Sequence, residues 1–196
     1  VFGRFAPAES FGGPGDDVFR GGGGTDAVDG DFGGDTILVL GTEAGNNITI
    51  DQDYGGAITI DEPSGFTTYE DFGGYGGPVS IEHMRVLAGA GTDTINLVPF
   101  STISIFVDGG DPIGVQPGDR LVVPGPVAFN PGPESDEGSF LTPGNEPISF
   151  DHIESAEVTG DYGGGASTIF GTNGPDAITI IARDGSTHPT ADGNQD

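Results

Sequence analysis

Three aspartates near the start of the chain recur at a spacing of nine. Asp17, Asp26 and Asp35 each stand sixth in a nonapeptide: GGPGDDVFR at 12–20, GGGGTDAVD at 21–29 and GDFGGDTIL at 30–38. The shared form is G-G-x-G-x-D-x-U-x, with U a large apolar residue, and only Asp31 departs from a fixed position. Single copies return at 88–96 (AGAGTDTIN) and 171–179 (GTNGPDAIT), and a looser one starts at Gly41 (GTEAGNNIT). These residue types suit the binding of a hard cation. Such an ion takes about six to eight oxygen ligands from carboxylates and carbonyls. Glycine can adopt positive φ and turn main-chain carbonyls inward, and the sixth-position aspartate supplies the charge.

Other reactive groupings are less specific. His83 and His152 occupy matching places in a faint internal echo, PVSIEHM at 78–84 against PISFDHI at 147–153, each just after an acidic residue. A metal or acid–base pair is one reading. A repeat duplicates structural residues by default, and we read both as strand-edge residues. His188, in a Ser-Thr-His-Pro-Thr loop, receives no role. With 31 acidic residues in 196, carboxylate pairs at glycosidase spacing arise by chance. G-x-S-x-G and H-E-x-x-H are missing, and the chain has no lysine for a P-loop or a Schiff base. The glycine clusters precede no helix, and their aspartates would repel phosphate. The chain is read as non-enzymatic.

The charge balance narrows the partners. Five arginines face 31 acidic residues, a net charge of −26. Nucleic acid and anionic membrane surfaces repel such a chain. No apolar run approaches the ~18 residues that suggest a membrane-spanning helix. Residues 1–20 hold no basic segment followed by an apolar run, and Val1 reads as a processed or trimmed start. Without cysteine there is neither a disulfide nor a thiolate metal site. Bound cations are the obvious means of offsetting the self-repulsion.

In its nonapeptides the chain resembles the RTX, or hemolysin-type, calcium-binding repeat family. The close resemblance covers the 27 residues of the tandem run, and stretches such as 51–87 and 124–150 do not fit it. It implies a right-handed parallel β-roll, in which the first six residues of each nonapeptide form a Ca2+-binding turn and the last three a short strand. With two nonapeptides per coil, residues 18 apart stack on one edge. Asp17 then lies with Asp35, Asp26 lies on the opposite edge, and Phe19, Val28 and Ile37 point into the core. Ala8 stands where Asp26 would need a partner, and the position nine beyond Asp35 is Ala44. The resemblance thus implies one complete calcium site, from Gly12, Gly15 and Asp17 with Gly30, Gly33 and Asp35, and a partial one at Asp26. A second pair is Asp93 with Asp111, again 18 apart, where Gly91 matches Gly109. For Asp176 both calcium ligation and a metal-free turn stay open, because aspartate stabilises turns through its own backbone bonds.

Such turns need strands to hold them. Short β-branched runs recur, among them TILVL at 36–40, NITI at 47–50, TINLV at 94–98, ISIFV at 103–107, RLVV at 120–123 and AITII at 177–181. Most alternate apolar with polar residues between Gly, Asp, Asn or Pro clusters, the pattern of short strands joined by tight turns. No window repeats apolar residues at helical spacing over three turns. The expected fold is all-β: a right-handed parallel β-roll or β-solenoid with hairpin and loop inserts. Segment 124–147, with six prolines and little alternation, is expected to be a loop.

A longer repeat overlies the short one. TDAVDGDFGGDTILVLGT at 25–42 aligns without gaps on SAEVTGDYGGGASTIFGT at 155–172, an offset of 130, and the alignment runs on to Ile50 and Ile180. The chain therefore divides into the end of one unit (1–40), a complete unit (41–170) and the start of a third (171–196). This style is similar to that of very large bacterial surface and matrix repeat proteins. The expected role is an extracellular, calcium-stabilised structural module of a surface fibre, layer or adhesin. Its partners would be other copies of itself joined head to tail, neighbouring repeat units, and glycans. The alternatives are a calcium-binding accessory of a secreted hydrolase or polysaccharide-modifying enzyme, and a β-helix enzyme acting on polysaccharide within 41–170.

Overall fold

Alternation of apolar and polar residues sets most of the described elements. The computed structural model describes residues 8–20, 24–52, 58–62, 65–71, 80–114, 117–161 and 168–169, and among these all regular elements are strands. The segment 171–196, expected to start a third unit, with its expected strand at 177–181, His188 and Asp176, lies outside the described residues.

Among the described residues sixteen strands form two eight-stranded sheets. The first contains β1 (Ala8–Phe11), β3 (Gly24–Asp29), β5 (Asn47–Gln52), β6 (Ile58–Glu62), β7 (Gly65–Asp71), β9 (Thr94–Leu97), β11 (Arg120–Gly125) and β15 (Ser155–Asp161), in spatial order β1-β3-β7-β6-β5-β9-β11-β15. The second contains β2 (Val18–Phe19), β4 (Thr36–Thr42), β8 (His83–Gly89), β10 (Ser104–Asp108), β12 (Ala128–Pro131), β13 (Gly138–Leu141), β14 (Ile148–Asp151) and β16 (Thr168–Ile169), in order β16-β12-β13-β14-β10-β8-β4-β2. Outside two antiparallel triplets the chain crosses from one sheet to the other at every step, and each strand lies parallel to its neighbour. The triplets β5–β6–β7 and β12–β13–β14 make both sheets mixed rather than wholly parallel.

In-register pairing stacks like residues. Ile37, Met84, Ile105 and Ile148 form one apolar row across the second sheet. Ile48, Ile95 and Leu121 form another in the first. All are buried in one core that both sheets line. Phe19, Val28 and Ile37 point into it, as the nonapeptide register requires. Each such side chain contributes about 1.5–3 kcal/mol by leaving water.

The proline-rich stretch 124–147 is not the loop its composition suggests. Its prolines sit at strand ends and turns, and the residues between them supply β12 and β13. Val127 and Phe140 enter the core, and Phe129, Phe140 and Phe150 cluster with ring centroids 5.5–6.2 Å apart. Proline removes a ladder donor only where it stands, so short alternating runs between prolines still pair.

Candidate metal centre

The turns stack along two edges of the sheet pair. On the first edge, chain passing from the first sheet to the second, the turn at 12–17 lies on the turn at 30–35. Gly12 N–H donates to the Asp29 carbonyl at 2.8 Å, Gly15 N–H to Phe32 at 2.7 Å, and Thr36 N–H to Asp17 at 2.9 Å. The Asp17 N–H donates to Asp35 Oδ1 at 2.8 Å, and the Asp35 N–H in turn to Glu82 Oε2 at 2.8 Å. A row of carboxylates therefore receives the backbone N–H of the preceding coil. The six expected residues Gly12, Gly15, Asp17, Gly30, Gly33 and Asp35 come together here, with Glu82 as an addition that sequence reasoning missed.

The turns approach so closely that only glycine fits at several positions. A Cβ on Gly12 would stand 2.6 Å from Asp17 Oδ2 and 2.9 Å from the Gly30 carbonyl oxygen. A Cβ on Gly30 would collide with Asp35 Oδ2 and the Ser80 carbonyl, and one on Gly33 with the Gly15 carbonyl. Carboxylate and carbonyl oxygens thus converge over the turn glycines. Asp35 is wholly buried, and its Oδ2 has no hydrogen-bond donor. The second motif position is left-handed at Gly13 (φ 87°) and Gly89 (φ 103°). Asp31, the one departure from the motif, adopts φ 67° in the same place. Aspartate tolerates this region better than most residues.

On the second edge, chain passing from the second sheet to the first, the row reads Asn46, Asp93, Asp119, Glu154. Asn46 N–H donates to Asp93 Oδ1 at 2.6 Å, Asp93 N–H to Asp119 Oδ1 at 2.7 Å, and Asp119 N–H to Glu154 Oε2 at 2.7 Å. Asp93 and Asp119 are fully buried, and the Oδ2 of each lacks a donor. Burial raises both carboxyls. Asp93 is held back by hydrogen bonds from Asn46. Asp119 reaches about 6, with the N–H of Asp93 opposing the rise and the charges of Asp93, Glu154 and Asp108 adding to it.

Asp111 does not pair with Asp93. It forms an isolated bridge with Ala90 and is exposed, and Asp119 takes the expected place. The turn between β10 and β11 is longer than a nonapeptide allows, so the partner falls 26 residues away rather than 18. The signal that could have found it is GVQPGDRLV at 114–122, a spaced Gly and Asp before an alternating run. Asp26 lies within β3 rather than in a turn, buried and in register with Ala8 and Tyr69.

The histidines stand apart. His83 opens β8, exposed, with Nδ1 2.8 Å from Ser104 Oγ. His152 follows β14 at φ 54°, with Nδ1 2.9 Å from Asp108 Oδ1, a bond that raises its pKa. They share neither a strand end nor a site.

Among the described residues no three His, Asp or Glu side chains converge as a metal-binding group. The arrangement instead sets one or two carboxylates beside main-chain carbonyls. A buried acceptor facing another acceptor is costly unless a proton or a cation lies between them. The turns therefore have the donor set of a hard oxygen-ligated cation. Comparison with known protein families, with characterised proteins and with solved structures finds no match to this chain.

Proposed function

We propose that the chain is a non-enzymatic, calcium-stabilised structural repeat module of an extracellular fibre, layer or adhesin, folded as a right-handed parallel β-roll with antiparallel inserts. The observation that carries this reading is the wholly buried Asp35. Its Oδ1 receives the N–H of Asp17, 18 residues earlier, while its Oδ2 has no donor and meets the Ser80 carbonyl over Gly30. Gly12, Asp17, Gly30 and Asp35 would hold Ca2+, which supplies the positive charge this oxygen cluster lacks. Strand alternation between sheets supports the structural role, because each coil contacts only its neighbours and length grows by repetition. The 130-residue repeat supports head-to-tail contact between units.

The test is thermal melting by far-UV circular dichroism in EDTA and in millimolar calcium. Extracellular calcium modules bind at roughly 10⁻⁴–10⁻³ M. At about ten times Kd one site adds on the order of 1.4 kcal/mol, so melting rises in calcium. Asp35→Ala reduces that rise, and Asp61→Ala, on an exposed position of β6 outside every nonapeptide, does not. Equal melting temperatures in both conditions overturn the calcium reading. Light scattering at millimolar calcium tests the assembly, and a strict monomer overturns it.

A further inference from the structure

On the second turn edge two rows run side by side. Gly41, Ala88, Gly109 and His152 align at the end of the second sheet, as the registers Leu40↔Leu87, Leu87↔Asp108 and Asp108↔Asp151 require. Asn46, Asp93, Asp119 and Glu154 align just before the strands of the first sheet. At one end of the row, Asn46 donates from Nδ2 to the Ala88 carbonyl at 3.2 Å and to Asp93 Oδ1 at 2.6 Å. At the other end, both oxygens of Glu154 accept backbone N–H groups, from Gly114 at 2.6 Å and from Asp119 at 2.7 Å. Both ends are satisfied.

The two middle members are not. Asp119 Oδ2 would lie 2.8 Å from a Cβ placed on Gly109, a point that also collides with the His152 carbonyl oxygen. Carboxylate and carbonyl thus meet in the position where, at Asn46, an amide N–H meets the Ala88 carbonyl. Asp93 Oδ2, one coil earlier, is equally buried and equally without a donor. Two buried carboxylates match the charge of one divalent ion.

We propose that the second turn edge binds a hard divalent cation of the calcium class at the Asp93–Asp119 step, with the His152 carbonyl as a further ligand, and that Asn46 ends the row by placing an amide N–H where a further ion would otherwise be needed. The site rests on the reading given to Asp35 and extends it to the opposite edge. It uses Asp119, which belongs to none of the motif copies. The row has a metal-requiring middle and metal-free ends.

The test is isothermal titration of the full chain with calcium chloride, with circular dichroism to confirm folding. Asp119→Asn is expected to bind one calcium fewer than wild type. It is also expected to melt higher than wild type in EDTA, because the new amide reproduces the Asn46 arrangement. Asp93→Asn gives the same loss and keeps the test valid if the first variant does not fold. Asn46→Asp is expected to melt lower in EDTA and to recover in calcium. Unchanged stoichiometry in both Asp→Asn variants overturns the site. A melting temperature in EDTA unmoved by Asn46→Asp overturns the role of the amide. Asp35→Asn separates the two edges. If it alone loses a calcium, this site fails and the first-edge site stands. If only the Asp93 and Asp119 variants lose one, the first-edge site fails and this one stands.

Discussion

The backbone N–H of Asp93 donates to Asp119 Oδ1 at 2.7 Å, the bond that Asp17 makes to Asp35 Oδ1 at 2.8 Å on the opposite edge, although 26 residues separate the first pair and 18 the second. What recurs is the step from one coil to the next, whatever length of chain lies between. Asp35 and Asp119 each spend one oxygen on the coil before, and the other is left for a cation or a proton.

That choice makes stability depend on pH with opposite signs in the two conditions. The folded Asp119 carboxyl sits at about 6, chiefly through burial, against an ordinary 3.8. Between those values the folded chain holds a proton that the unfolded chain has released. The stability from this group is therefore present at low pH and lost as pH rises through about 6. In EDTA, wild type is expected to gain melting temperature on acidification from about pH 7 to about pH 5, and Asp119→Asn to gain less. In calcium the proton competes with the ion, so the same acidification lowers wild-type melting relative to the variant. A wild type and variant with parallel pH profiles in EDTA would count against a buried, proton-holding Asp119.

Two glycines of the first turn pair separate backbone strain from crowding. Gly13 has φ 87° and open space where a Cβ would go. Gly13→Ala is expected to cost only the left-handed penalty, about 1–2 kcal/mol. Gly33 faces the Gly15 carbonyl, and a Cβ there collides with it. Gly33→Ala is expected to force the two turns apart and to lower calcium affinity as well as stability. Calcium titration of the folded variants checks this, with Gly13→Ala retaining wild-type stoichiometry.

The proline-rich stretch contributes core, and truncation measures how much. Phe140 is 2% exposed within the Phe129–Phe150 cluster, whereas its neighbour Leu141 is 45% exposed. Phe140→Ala is expected to cost about 3–5 kcal/mol in urea denaturation, and Leu141→Ala within about 0.5 kcal/mol. Similar small losses for both would mean that β12 and β13 add little to stability.

The inward set Phe19, Val28 and Ile37 and the Asp17–Asp35 pairing are legible in the sequence because tandem nonapeptides fix the register locally. Asn46 is visible as sixth residue of the loose copy at 41–49, and it stacks on Asp93, sixth residue of the copy at 88–96. Asp119 is hidden by the long turn before it, which breaks the spacing while leaving the strand register intact. Glu82 and Glu154 are hidden because a glutamate reaches the same N–H from a residue type the motif does not contain. The echo that matches His83 with His152 compares a strand start with the residue after a strand end, so likeness of sequence there carries no likeness of place.

The two antiparallel triplets have a consequence for the march of the coils. Each puts three strands where a plain coil puts one, advancing its own sheet by two extra strand spacings, roughly 10 Å. One insert lies in the first sheet and the other in the second, so each sheet counts eight strands among the described residues. Between the inserts the sheets are out of phase by two strands, and after the second they are level again, with β15 and β16 last in their respective sheets. Both inserts, at 47–71 and 128–151, fall inside the stretch 41–170 that the sequence repeat marks off as one unit. If 41–170 is the repeating unit, it restores the phase it disturbs, and units set end to end would accumulate no offset. Removing one triplet would leave every later coil displaced by two strands, whereas removing both would shorten the unit and keep its two sheets in step.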